Sequence, residues 1–391
     1  MIYKQSTGGD FVDEKRHKFL EKTWKILYFF VNIFMKLKFN SRHDDIYVEG
    51  PCIIIANHVS SWDPLLLSQS FARLKLYFVA SEHLFRLGIL SKLLVWLVEP
   101  LPRKKATMGT DTVMMCLRHL RAGHAVCLYA EGNSTWDGLS DKVFPATGKL
   151  VRNSGATLVT FCLEGGYLSA PRWGKGTRRG KVYGHRVGIY SPEQLKAMTP
   201  AEINDIINRD IFENAWERQK IEKVPFKGRN TARYMERVTF LCPRCNKIGG
   251  LKGKGNKISC TCGFSTTYTE LCSFDPPEPF ENIYEWDKWQ QEKVKNFDFI
   301  HDEILFSDDK MSLSEIGSNH EEKIIATGVA SMSKDALMLE GYSFPLEKIE
   351  NMSIVQASIL LFSIEGKYYQ IRAIEPRCHR KYLLVWQNAH A

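Results

Sequence analysis

The 391-residue sequence has no run of the roughly 18 apolar residues that a helix needs to cross a bilayer, so no membrane-spanning segment is expected. Residues 1–25 lack the basic start, apolar centre and small-residue cleavage site, in that order, of a secretory signal. Ten cysteines are present but, one group apart, they are scattered, which argues against a disulfide scaffold and for a reducing cytosol. Acids are the scarcer charge: 53 lysines and arginines stand against 44 aspartates and glutamates. The net +9 fits an anionic partner, whether a membrane surface, a nucleic acid or a phosphorylated substrate. Between Glu164 and Glu193 there is no acid, while Arg172, Lys175, Arg178, Arg179, Lys181 and Arg186 lie among glycines. That stretch is expected to be a flexible loop meeting an anion; a solvated charged face is the plainer reading.

What the sequence does contain is organised around Cys52–Leu67, CIIIANHVSSWDPLLL. Five small or apolar residues read as a buried strand that ends at Asn57-His58, and Asp63-Pro64 opens a new apolar run. Asp63 before Pro64 suits a helix N-cap, and a lone His58 suits a half-buried structural histidine. Together they allow more. A carboxylate that accepts the proton of one imidazole nitrogen leaves the other nitrogen free to act as a base toward an alcohol.

Upstream, Arg16–Lys38 carries Trp24 and the bulky run Ile26–Phe34, interrupted by Asn32 and flanked by Lys18, Lys22, Lys25, Lys36 and Lys38. The pattern predicts an amphipathic helix lying in the headgroup region with its lysines reaching outward; packing on its own domain is the alternative. Downstream, Leu76–Ser81 reads as a core strand and Leu84–Val98 as a core helix or part of an acyl-chain groove. Arg103 closes a Glu-Pro-Leu-Pro-Arg block beside Lys104 and Lys105. Thr110–Arg121 is a predicted helix, Ala125–Ala130 a strand ending in Glu131-Gly132-Asn133-Ser134, and Ala156–Leu163 another strand. Thr199-Pro200-x-Glu202 is a capping box opening a helix to about Lys220.

Asn57-His58-x4-Asp63, after an apolar strand and before an apolar helix, resembles the signature of the glycerolipid acyltransferases, whose best-known members are the lysophosphatidic acid acyltransferases. Glu131-Gly132 is similar to the family's Pro-Glu-Gly-Thr-Arg block, and Arg103 stands where the family places a basic residue for the acceptor's phosphate. The resemblance, to the bacterial type, implies an α/β fold with a central sheet flanked by helices, and catalysis by His58 with Asp63. It also implies that Asn57, Arg103, Glu131, Gly132 and Asn133 bind substrate, and that acyl-CoA or acyl carrier protein is the donor. There are departures. Ala130 replaces a proline, Leu158-Val159-Thr160 lacks one, and Ser134 stands where the family has arginine, which removes an expected phosphate ligand.

Beyond a charged linker, Cys242-x2-Cys245 and Cys260-x-Cys262 bracket a Lys- and Gly-rich stretch. Two close thiolate pairs around a glycine-rich turn can wrap tetrahedral zinc, in a structural site because no histidine or carboxylate accompanies them. Four reduced cysteines in a hairpin, with Cys272 as an alternative ligand, is the bland reading. From Asp302 onward short alternating segments and a last helix at Arg377–Gln387 resemble a pleckstrin-like small barrel. The expected layout is an amphipathic membrane-associating helix (1–40), an acyltransferase domain (41–225), a zinc-ribbon-like module (236–272) and a β-rich domain with a C-terminal helix (280–391).

The expected function is acylation of 1-acyl-sn-glycerol 3-phosphate to phosphatidic acid at a lipid surface, in the cytoplasm on the inner face of the cell membrane. One alternative keeps the chemistry but changes the acceptor to another lysolipid or a glycolipid, because of Ser134. Another class, a zinc-ribbon nucleic-acid-binding protein, leaves the His58–Asp63 and Glu131-Gly132 blocks unexplained, and no nucleic-acid partner is expected.

Overall fold

Cys52–Ala56 forms a strand fully buried between two parallel neighbours, as its small and β-branched residues allow. The computed structural model describes residues 13–81, 96, 98–103, 109–295, 297, 303–317, 321–355, 357–375 and 377–390. These divide into two units. Unit 1 is drawn from Met1–Thr135, Ser140–Tyr167 and Lys181–Asn214, and unit 2 from Trp136–Leu139, Leu168–Gly180 and Ala215–Ala391.

Unit 1 holds strands β1 (Ser41–His43), β2 (Cys52–Ala56), β3 (Leu76–Ser81), β4 (Leu101–Arg103), β5 (Ala125–Leu128), β6 (Thr157–Glu164) and β7 (Val182–Tyr190), in the order β1-β7-β6-β2-β5-β3-β4. All neighbours are parallel except the antiparallel β6–β7 pair. Helices α1 (Glu14–Phe39), α2 (Asp63–Ser68), α3 (Thr110–Arg121), α4 (Ala146–Ser154), α5 (Pro192–Ala197) and α6 (Pro200–Asp210) accompany the sheet. The capping box at Thr199 forms, with Glu202 and Thr199 each satisfying the other's backbone N–H. The mixed α/β architecture matches the sequence reading, and most of Leu84–Val98, together with Lys104 and Lys105, lies outside the described residues.

Two local expectations need correction. The helix opened at Thr199 stops at Asp210 instead of running to Lys220. Asp210 accepts from Thr160 Oγ1 (2.8 Å) and Tyr190 Oη (2.6 Å), and Glu213 accepts from Gly165 N (2.9 Å), so these carboxylates turn inward where a continued helix would spread them around its surface. Finally, two arginines of the expected anion-binding loop, Arg172 and Arg178, are engaged within unit 2. Arg178 is buried, donates to Leu168 O and Thr231 O, and lies over Trp173 and Tyr268. Arg172 lies over Trp136 (4.0 Å) and donates to Ile354 O.

Helix α1 has two apolar faces. Leu20, Met35 and Phe39 are buried, and Trp24 Nε1 and Tyr28 Oη donate to Phe71 O and Gln69 O. Opposite, Ile26, Phe30, Ile33 and Leu37 follow helical spacing yet are 67%, 62%, 43% and 69% exposed. No helix among the described residues is long and apolar enough to cross a membrane.

Unit 2 contains helix α7 (Ala215–Glu222), a four-stranded antiparallel sheet of β8 (Leu251–Lys254), β9 (Lys257–Cys260), β10 (Ser265–Tyr268) and β11 (Phe274–Asp275), and helix α8 (Ile283–Val294). A second sheet orders β15-β14-β13-β12-β18-β17-β16, all antiparallel: β12 (Ile304–Ile316), β13 (Glu322–Ser333), β14 (Ala336–Leu339), β15 (Tyr342–Pro345), β16 (Ile349–Val355), β17 (Ile359–Ile364) and β18 (Lys367–Ala373). Helix α9 (Arg380–Ala389) closes the chain. β12 is longer than the short segments expected after Asp302, because bulges let it bend across two neighbours.

Candidate active site

Strand β2 delivers His58 to its carboxyl end between β5 and β6, the end of an open α/β sheet where ligands bind. The His58 Nδ1 lies 2.7 Å from Asp63 Oδ2. Asp63 is fully buried, and its oxygens also accept from Val59 N (2.7 Å), Ser60 N (3.0 Å) and Ser60 Oγ (2.7 Å). A carboxylate ringed by donors acts as an acceptor, so the proton between it and the imidazole sits on His58 Nδ1 and Nε2 keeps its lone pair. The imidazole side chain is 24% exposed. Asp63 is not the N-cap of α2: the cap residue is Trp62, and the Asp63 side chain turns back to residues 58–60.

Glu131 follows β5 and ties this turn to the next loop. Its Oε1 accepts from His58 N (2.8 Å) and its Oε2 from Asp141 N (2.8 Å), while Thr135 N donates to His58 O (2.9 Å). Burial pushes the Glu131 carboxyl up to about 8, against the two backbone donors, which favour its ionised form. The backbone on both sides of His58 is thereby held from β5.

Asn57 is fully buried, and its amide pairs with both backbone groups of Leu163: Nδ2 donates to the carbonyl (3.0 Å) and Oδ1 accepts from the N–H (2.7 Å). Asn57 therefore extends the β2–β6 pairing, a structural use that the substrate-binding expectation did not foresee. Gly132 has φ +83, and a Cβ there would meet the Phe144 ring at 2.4 Å. Arg103 lies over that same ring, 4.8 Å from its centroid, and burial lowers its proton affinity. Phe144 thus joins Gly132 to Arg103, and sequence reasoning missed it. Its only signal was an aromatic residue in a Pro-containing loop that stays 39% exposed. Asn133 is exposed on the same loop. Within unit 1 the fold gathers His58, Asp63, Glu131 and Gly132 at one end of the sheet, joined by hydrogen bonds and short turns.

Residues 38–164 match the family model described as Acyltransferase, over the stretch that carries this constellation. This stretch is thus a domain of the acyltransferase family. Seven solved chains match. One is the 1-acyl-sn-glycerophosphate (LPA) acyltransferase PlsC from Thermotoga maritima, similar at 17% identity with a TM-score of 0.42 over 52% of this chain and 83% of that one. No curated protein matches.

Unit 2 carries a candidate metal centre. The Sγ atoms of Cys242, Cys245, Cys260 and Cys262 all lie within 4.8 Å of one another, with Cys242–Cys262 at 3.7 Å and Cys245–Cys260 at 3.8 Å. A tetrahedral zinc with Zn–S of about 2.3 Å has S–S edges of about 3.8 Å. The donor set fits that ion. Two turns make it possible: Gly263 adopts φ +89 after the second pair, and a Cβ on Gly250 would come within 3.1 Å of Cys260 Sγ. Cys272 is outside the group.

Proposed function

We propose that this acyltransferase moves an acyl chain from an acyl thioester, carried by coenzyme A or acyl carrier protein, to the free hydroxyl of a lysophospholipid. 1-Acylglycerol 3-phosphate is the first acceptor, giving phosphatidic acid. The observation that carries the reading is the 2.7 Å His58 Nδ1–Asp63 contact, which leaves Nε2 as the base.

Nε2 takes the hydroxyl proton as the acceptor oxygen forms its bond to the thioester carbonyl carbon. Asp63 stabilises the imidazolium so formed. When the tetrahedral intermediate collapses, the C–S bond breaks and the departing sulfur receives the proton from His58, leaving an ester and a free thiol. Arg103, half-buried on the Phe144 ring, supplies a planar fork suited to the acceptor's phosphate. Gly132 and Asn133 line the approach to it.

We further propose that α1 seats the domain peripherally on a lipid surface, on the cytoplasmic face of the cell membrane. Its exposed Ile26, Phe30, Ile33 and Leu37, flanked by lysines, support a helix lying in the interface, from which acyl-chain substrates are delivered. The four cysteines of unit 2 are proposed to hold a structural zinc ion, a role supported by their closed, all-thiolate geometry.

The test is release of free thiol from acyl-CoA and from acyl carrier protein with 1-acylglycerol 3-phosphate, comparing wild type with His58→Ala. Activity that disappears in a folded variant supports base and acceptor together; equal rates remove His58 from the mechanism. A second acceptor class has one observation in its favour, Ser134 where the family has arginine. Higher turnover of a glycolipid or amino-lipid acceptor would establish it.

A further inference from the structure

Three aromatic rings stand side by side at the carboxyl edge of the unit 1 sheet. The Tyr129 ring faces the His58 imidazole with centroids 4.6 Å apart and planes at 24°, and Phe78 stacks beyond Tyr129 at 6.5 Å and 11°. They come from neighbouring strands: Phe78 lies on β3, Tyr129 follows β5 and His58 follows β2. Strand spacing of about 4.8 Å brings the rings to stacking distance without side-chain strain. Tyr129 is further held by its own loop, since its carbonyl accepts from Gly132 N (3.2 Å).

His58 is thus held at three points by groups of different kinds. Asp63 takes Nδ1 and Tyr129 covers a face of the imidazole, while Glu131 takes the backbone N–H. The hydroxyl of Tyr129 is buried and has no hydrogen-bond partner among the described residues. Burial, with the Cys127 and Asp63 groups nearby, pushes it well above its ordinary value, so it carries no charge that could answer the imidazolium. The electron-rich face is what Tyr129 presents to His58.

We propose that Tyr129 is a positioning residue for acyl transfer: its ring fixes the plane of His58 and stabilises the imidazolium that forms when Nε2 takes the acceptor's proton. A cation within about 6 Å of an aromatic centroid is attracted by the ring's quadrupole, more strongly where water is excluded. The neutral imidazole gains far less from the same face. The contact therefore strengthens as the proton arrives, the behaviour that lowers a barrier instead of merely tightening binding. This inference rests on His58 being the base, as proposed above.

Tyr129→Phe keeps the face and removes the hydroxyl. Tyr129→Leu and Tyr129→Met fill the space without a π system, Met being the more adaptable should Leu fail to fold. In the thiol-release assay, Phe is expected to stay within about twofold of wild type. Leu and Met should lose about tenfold in kcat with KM unchanged, and the acid limb of kcat should move to lower pH. A readout independent of turnover is carbethoxylation of His58 by diethyl pyrocarbonate, followed by peptide mass spectrometry between about pH 5 and 8. The onset of reactivity should fall at lower pH in the Leu and Met variants and match wild type in Phe. Onsets unchanged in all three variants overturn the inference, as does a Phe variant as impaired as Leu, which would assign the effect to the hydroxyl. His58→Ala run alongside separates the two ideas. If it turns over like wild type, the base assignment fails; if it is inactive while Tyr129→Leu is unimpaired, only the role of Tyr129 fails.

Discussion

Glu131 Oε1 accepts the backbone N–H of His58 at 2.8 Å, so the acid that follows β5 holds the main chain that follows β2. Its second oxygen holds Asp141 N at the same distance. Family resemblance assigns this glutamate to the acceptor; its contacts in the fold are to the backbone of His58 and Asp141.

Because burial raises Glu131 from 4.5 to about 8, the folded protein binds its proton more tightly than the unfolded chain does. Stability from this group is then fully present below the unfolded value and is lost as pH rises toward 8. The melting temperature of wild type relative to Glu131→Gln should fall between those two values, and Glu131→Gln should show the flatter profile. Thermal melts across that range check it; parallel profiles would mean that Glu131 is ionised throughout.

Asn57→Ala should act on stability before substrate affinity. It strips partners from the buried N–H and C=O of Leu163, at about 1–3 kcal/mol for each group left unpaired. Denaturant unfolding should register a loss of about 2 kcal/mol or more, while KM for the acceptor at a temperature where the variant is folded stays near wild type. A raised KM with unchanged stability would return Asn57 to the substrate.

Metal analysis of the purified protein should find one zinc per chain, lost in Cys242→Ser and Cys262→Ser. Chelation should open β8–β10 to protease, since this hairpin has little apolar mass and a bound structural zinc contributes its folding energy. Protease resistance that survives complete metal removal would make the cysteines a reduced hairpin.

Replacing Ile26, Phe30 and Leu37 together by glutamate leaves the buried face of α1 intact. Sedimentation with anionic vesicles should then drop by at least tenfold, since each lost large apolar contact with the acyl region is worth about 1–3 kcal/mol and the new charges are repelled. Unchanged co-sedimentation would assign the helix's outer face another partner.

Much of unit 1 was legible because its signals are local. Thr110–Arg121 is apolar at helical spacing and stops at Gly123; Thr199 and Glu202 spell a capping box; Cys52–Ala56 is a short apolar run before turn residues. His58 and Asp63 share one turn, so their meeting needs no knowledge of the rest of the chain. What was misread depended on distant partners. The helix after Thr199 ends where Asp210 and Glu213 find Thr160, Tyr190 and Gly165, and nothing in their own neighbourhood announces those bonds. Arg172 and Arg178 read as a free basic loop until Trp136, Trp173 and Tyr268 are brought beneath them.

The order of residues by itself determined the chemistry on offer: an imidazole five residues before a carboxylate, an acid and a glycine ending a later strand, and four thiols in two close pairs. Tertiary structure alone decided which partner each of them meets. It set Asn57 on Leu163, turned Glu131 toward the backbone of His58, laid Phe144 between Gly132 and Arg103, and faced Tyr129 onto the His58 ring. The reason is physical. A side chain's capacity to donate, accept or ionise is covalent and local, but the partner that uses it is chosen by which strands lie side by side.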